Sequence, residues 1–428
     1  MQNFRKIFVS GIAWKFIFYL SAFVVNILLA NRLGARNSGP FFYLLNNISI
    51  ALLFLNFGVE SAITYLYARR ESGFSYLLTA GSIWSLLSTL LLALLWYGLS
   101  FFQLVPTDAL TPLILLYILS LLITAFSSAL FYASNNHLIP NLVPSLINLF
   151  LIVYLLSNPN HSSYTAPAVL IRVYLFTGII TGASFLLLTG RHLRFGHLPK
   201  RIFTRKLLDS SLRFFIQNAF VTLLLRVDIW FIEYLCNDAD LGNYIQTTKF
   251  SQLVFLLPNL ASFALFPLFA QNADQQHSME SKAFRLINAY FYAGLAICLL
   301  IAICGYWLFP ILYGSSFSKM HLIFIALIPG LLFFVASYPL SAYFASINRS
   351  RFISFGAAIA VLLMIAADLV LIPALGIYGA AIASSVAYSF YFFWLLIRFK
   401  KECISPATQL FSVRDFSKNL RLFIQQKT

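Results

Sequence analysis

Nine charged side chains interrupt otherwise apolar stretches of this 428-residue sequence. Lys15, Arg172, Arg213, Arg226 and Lys249 are cationic, and Glu60, Asp228, Glu233 and Asp368 are acidic. A charge at the centre of a membrane-spanning helix costs about 3 kcal/mol on insertion scales, so each one requires a reason to be there. Cations out of water take anionic partners, and a guanidinium does so with a planar, bidentate fork. Buried carboxylates suit a proton or Na⁺, so Asp228 and Asp368 are the candidates for coupling to an ion gradient.

Depth along a helix, at 1.5 Å per residue, sorts the cations. Arg213 lies about 5 Å from the start of its stretch and snorkels to water. Lys15 lies about 10 Å in and Arg226 about 24 Å in, while Arg172 and Lys249 sit about 8–10 Å from the opposite surface. The last two either complete an upper cationic region or snorkel outward. Glu60 is near the end of its stretch, where Arg69 and Arg70 offer a structural ion pair; that reading and a functional one both stand. On a continuous helix Asp228 points away from Arg226, because residues two apart face different sides. A close partner for Arg226 is therefore expected from another stretch, with Asp368 at comparable depth.

The elements that must carry these residues are legible in composition. The hydrophobic fraction is 60% and only 10% of residues are charged, against about a quarter in soluble domains. Twelve blocks reach the ~20 residues needed to cross a bilayer. They lie near Phe8–Asn31, Pro40–Tyr67, Leu77–Phe102, Pro112–Ser134, Leu138–Ser157 and Ala166–Gly190, then Ser210–Leu235, Tyr244–Ala270, Phe284–Leu312, Leu322–Ile347, Phe352–Pro373 and Gly376–Arg398. The first carries Lys15 and no cleavage-site pattern, so it reads as a span and not as a signal peptide.

Loops on the side of the two termini hold twenty-one Lys and Arg, and the opposite loops three (Arg32, Arg36 and Lys319). The excess of basic residues marks the cytoplasmic side, so both termini are expected there. The net charge of +16 is thereby explained by topology and anionic lipid headgroups, without nucleic acid. The four cysteines show no metal or disulfide spacing, and no phosphate-binding GxxxxGK[ST] motif is present. The tail over Gln409–Ile424 has the pattern of an amphipathic surface helix.

The long loop over Arg191–Asp209 divides the blocks into six and six. Weak self-similarity follows that division: Gly39 and Tyr43 open the second block as Gly242 and Tyr244 open the eighth, and Phe131–Asn136 resembles Tyr343–Asn348. The expected fold is an all-α integral membrane protein, with twelve transmembrane helices in two six-helix lobes related by a pseudo-two-fold axis along the membrane normal. The lobes are expected at residues 1–205 and 206–398, followed by a cytoplasmic amphipathic tail at 399–428. Gly34, Gly39, Gly376 and Gly379 flank outward connections too short for ordinary turns, which predicts positive φ or close backbone approach. Ala380, Ala381, Ala383, Ser384 and Ser385 predict close packing of the last helix.

Three motif groups then carry a resemblance. They are Arg32-Leu33-Gly34 with Gly39, Gly58 and Ala62; Tyr313-Gly314 with Phe317 and Pro329-Gly330; and Asn348 followed by Ile372-Pro373-Ala374-Leu375-Gly376-Ile377-Tyr378-Gly379-Ala380-Ala381. In order and spacing the chain resembles the polysaccharide transporter family, the Wzx-type O-antigen and oligosaccharide flippases of the MOP exporter superfamily. Asp368 departs from that pattern, where asparagine is more usual. Lipid II flippases look similar but usually carry two further spans.

The resemblance implies movement of an undecaprenyl-pyrophosphate-linked oligosaccharide from the cytoplasmic to the outer leaflet of a bacterial inner membrane, by alternating access. Arg226, with Lys15, Arg172 and Lys249, would meet the pyrophosphate; Asp228, Asp368 and Glu60 would couple an H⁺ or Na⁺ gradient. No cofactor is expected. Partners would be the lipid-linked oligosaccharide, membrane lipids, and a polymerase or other export-machinery protein. The alternatives are a MATE-like multidrug or cation antiporter and, behind it, a membrane polysaccharide polymerase or ligase. An enzyme would need loops bearing acid and base groups, whereas Asp238 and Asp240 read as a solvated turn.

Overall fold

A computed structural model describes residues 2–105, 107–158, 166–193, 204–255, 258, 276–347 and 349–402. Asn348, most of the eighth apolar block beyond Phe255 and the tail pattern over Gln409–Ile424 lie outside the described residues. The helices are α1 (Gln2–Asn56), α2 (Val59–Ala68), α3 (Phe74–Phe101), α4 (Thr111–Ala133), α5 (Ile139–Ser157), α6 (Pro167–Thr189) and α7 (Arg205–Leu224). They continue with α8 (Asp228–Leu235), α9 (Asp238–Ser251), α10 (Gln276–Tyr313), α11 (Met320–Ser346), α12 (Arg351–Leu375) and α13 (Ile377–Glu402). Among the described residues, ten helical stretches are long and apolar enough to cross a membrane. The chain is an all-α, multi-pass membrane protein. Large apolar side chains stand outward on these helices, Leu187 at 85% exposure and Phe150 at 71%, as a lipid-facing surface demands.

The first two apolar blocks are carried by two helices that meet directly at a kink, with no loop between them. α1 runs through both and kinks at Gly34, whose φ of 67° is open to glycine. The second block then breaks earlier than its hydropathy indicates, at Phe57 and Gly58, both with positive φ. A third interruption falls inside the seventh block, where residues 225–227 form a turn between α7 and α8. Its first two amides bond three residues back, Leu225 N–H to Thr222 O at 3.2 Å and Arg226 N–H to Leu223 O at 3.0 Å, before Val227 N–H returns to the four-residue spacing with Leu223 O at 2.9 Å. The tight turn replaces α-helical geometry at those residues.

Two compact units divide the chain: Met1–Leu33 with Leu44–Asn218, and Gly34–Tyr43 with Ala219–Thr428. In the first, α4 packs on α2, α3 and α6 around Ile63, Leu77, Leu122, Phe126, Leu130 and Leu175. In the second, α11 packs on α9, α10 and α13, and α13 also lies along α12. Lipid tails give helices little hydrophobic reason to associate, so small residues that admit close contact do the positioning. Ala380, Ala381, Ala383 and Ser384 on α13 are all fully buried, and Ser385 Oγ donates to Ala326 O at 2.6 Å.

Residues 34–43 are held within the second unit by a clasp. The Ala35 amide donates to Ser316 Oγ at 3.1 Å. Asn243 Nδ2 donates to Ser316 O at 3.2 Å, and Asn243 Oδ1 accepts from the Lys319 amide at 3.2 Å. Lys319 Nζ reaches Asp240 Oδ1 at 2.5 Å, and that hydrogen bond holds its ammonium above the usual lysine range. Gly39 lies so close to α9 that an added Cβ would stand 2.2 Å from Asp238 O.

Candidate functional site

The break at 225–227 makes Asp228 the first residue of α8, where its carboxylate accepts the Ile229 amide at 3.0 Å. A helix N-terminus favours negative charge. Tyr244 on α9 donates to Asp228 Oδ2, and Ser384 on α13 donates to the same oxygen at 3.1 Å. Tyr244 OH and Ser384 Oγ are themselves 3.2 Å apart. Asp228, Tyr244 and Ser384 thus join three helices in one buried network.

Asp368 on α12 is 0% exposed, and neither carboxylate oxygen has a hydrogen-bond partner among the described residues. It lies within electrostatic reach of Asp228, and Tyr388 on α13 feels both carboxylates. The two proposed ion-coupling acids of the second unit are therefore brought together. Sequence reading did not single out Tyr244, Ser384 or Tyr388 as their partners. Ser384 is 156 residues from Asp228, and no local spacing connects them.

The same unit gathers two cations. Arg226 sits in the turn and Lys249 near the end of α9, and their charges act on each other. Lys249 Nζ lies 3.7 Å from the centroid of the Phe42 ring, a cation–π contact with a buried aromatic from the clasp segment. Asp228, at the start of α8, lies within electrostatic reach of Arg226 in the turn. Phe42 carried no sequence signal beyond its aromatic neighbours.

In the first unit Lys15 and Glu60 are within electrostatic reach of each other. Lys15 Nζ stands 5.5 Å from the Tyr132 ring centroid, and Tyr132 donates to Asn141 Oδ1 at 2.9 Å. Glu60 Oε2 accepts from Asn56 Nδ2 at 3.0 Å, while the Glu60 amide donates to Asn56 Oδ1 at 3.1 Å. A small cavity is lined by Leu53, Asn56, Gly58, Glu60, Ser61, Phe215 and Asn218. The anticipated pairing of Glu60 with Arg69 and Arg70 does not occur. Arg69 turns to Glu71 at 3.8 Å and to the Tyr65 hydroxyl, while Glu60, two residues past the Gly58 break, bonds to Asn56. Arg172 is exposed on α6 and makes no ion pair among the described residues; Arg213 is likewise exposed.

Comparison with known proteins places this geometry. Residues 4–273 match the family described as polysaccharide biosynthesis protein. A search of curated proteins finds no match. Among solved structures, the lipid II flippase MurJ in an inward closed conformation superposes with a TM-score of 0.75 at 17% identity, covering 97% of this chain and 92% of that one. An inward-facing multidrug resistance MATE transporter of the MOP superfamily follows at 0.66 and 15%, covering 91% and 96%. A MOP superfamily transporter from Pyrococcus furiosus, described as having a binding pocket of reverse polarity, superposes at 0.63 and 15%, covering 92% and 96%. At these identities the likeness establishes the fold. With a helical fold common to MOP transporters and a family match across more than half its length, the chain belongs to the polysaccharide biosynthesis protein family.

Proposed function

We propose that this protein is a flippase that carries an undecaprenyl-pyrophosphate-linked oligosaccharide from the cytoplasmic to the outer leaflet of a bacterial inner membrane by alternating access. The observation that carries the reading is that Arg226 and Lys249, the latter seated over the Phe42 ring, act on each other within one compact unit of a polysaccharide-family protein. Two like charges drawn together there repel, and an anionic group between them removes that cost. A pyrophosphate supplies such a group, with oxygens for the guanidinium fork and for the ammonium. Lys15 and Arg172 of the first unit are proposed as further contacts along its path. On this reading the chain transports and does not catalyse, and its partners are the lipid-linked oligosaccharide, membrane lipids and export-machinery proteins such as a polymerase.

Asp228 and Asp368, with Glu60 as a first-unit counterpart, are proposed to take up the coupling H⁺ or Na⁺. Two carboxylates within reach of each other repel, and a bound cation relieves that repulsion. The twenty-one basic residues on the side of the two termini support a cytoplasmic position for both.

The cargo separates this reading from MATE-like antiport of organic cations. Purified protein in liposomes should move a lipid-diphosphate-linked oligosaccharide between leaflets and should not accumulate a fluorescent organic cation against an imposed gradient. Accumulation of the cation without lipid movement would overturn the proposal.

A further inference from the structure

Where α12 begins and α13 ends, two arginines rest on aromatic rings. Arg398 Cζ lies 4.5 Å from the Trp394 ring centroid and 5.6 Å from that of Phe352, and Arg351 Cζ lies 5.5 Å from Phe352. The base beneath them is fixed. Trp394 Nε1 donates to Phe352 O at 3.2 Å, and the indole is flanked by Phe355 at 5.5 Å and Phe390 at 6.4 Å between centroids. Gly356 makes this possible, since a Cβ there would stand 2.3 Å from Trp394 Cδ1. None of the four ion pairs among the described residues involves Arg351 or Arg398. A guanidinium held over a ring by cation–π attraction still has N–H donors to offer a phosphate.

We propose that the Arg351–Phe352–Trp394–Arg398 cluster binds the phosphodiester headgroup of an anionic membrane phospholipid. Charge complementarity selects the headgroup, and position selects a lipid over free phosphate. The cluster sits at the polar ends of two membrane-spanning helices. Phe355, 58% exposed one turn into α12, and Ile397, 54% exposed on α13, offer apolar surface for the attached acyl chain. Tryptophan and arginine at such a level are the usual residues of a membrane interface. This site is independent of the cargo path, and its failure would leave the flippase reading untouched.

The test uses full-length protein in nanodiscs, measuring thermal stability and lipid retention by native mass spectrometry with phosphatidylglycerol against phosphatidylcholine. The parent should gain stability and retain phosphatidylglycerol. R351Q/R398Q should lose that preference at least about fivefold, and R398K, which keeps the charge but not the planar fork, should lose part of it. The charge-matched K400Q/K401Q should keep it. Equal losses in both double variants would overturn the proposal in favour of diffuse attraction by the whole basic rim. A parent without preference, or one stabilised equally by inorganic phosphate, would also overturn it. Unchanged melting of R351Q/R398Q in phosphatidylcholine verifies that the variant is folded.

Discussion

At the scale of single residues, the two buried carboxylates of the second unit differ in what they hold. Asp228 accepts from Tyr244, Ser384 and the Ile229 amide, whereas Asp368 accepts from no described group. Removing an acceptor strands its donors at about 1–3 kcal/mol. Asp228→Ala should therefore lower the melting temperature markedly. Asp368→Asn removes repulsion without removing a hydrogen bond, so melting should be unchanged or higher, while transport loses its dependence on an imposed H⁺ or Na⁺ gradient. Melting and gradient-driven transport of the two variants check both statements; gradient dependence surviving in Asp368→Asn would contradict the coupling role. Both carboxylates were visible in the sequence because a charge in an apolar run is conspicuous. Their partners were not, since a tyrosine or serine in a span is common and Ser384 approaches Asp228 only through the packing of α13.

At the scale of elements, hydropathy located the spans but not their interruptions. The turn at 225–227 contains no glycine or proline to announce it. The glycines were more readable. Gly34 and Gly376 adopt φ of 67° and 58°, and Gly39 and Gly379 approach backbone carbonyls at distances that exclude a Cβ. Gly39→Ala forces its methyl against Asp238 O and should cost about 1–3 kcal/mol by overpacking the clasp that holds residues 34–43. Gly190→Ala, with an ordinary helical φ of −53° and no heavy atom within 4 Å of the added Cβ, is the control and should melt no lower than the parent does. Equal melting of all three proteins would show that the clasp contributes nothing to stability.

At the scale of the whole molecule, composition alone required a membrane protein, and the described helices and the family match bear that out. The assembly of Arg226, Lys249 and Phe42 could not be seen beforehand. It depends on residues 34–43 belonging with the second unit, a long-range fact that no local pattern encodes. The central claim is that this cationic pair receives the diphosphate of the cargo. It is tested most directly by leaflet translocation of a lipid-diphosphate-linked oligosaccharide in proteoliposomes, comparing the parent with Arg226→Ala, Lys249→Ala and the exposed Arg213→Ala. The account predicts at least about tenfold slower movement for Arg226→Ala and Lys249→Ala, the loss of a charge-assisted contact, and parental movement for Arg213→Ala. Parental rates in both Arg226→Ala and Lys249→Ala would contradict it.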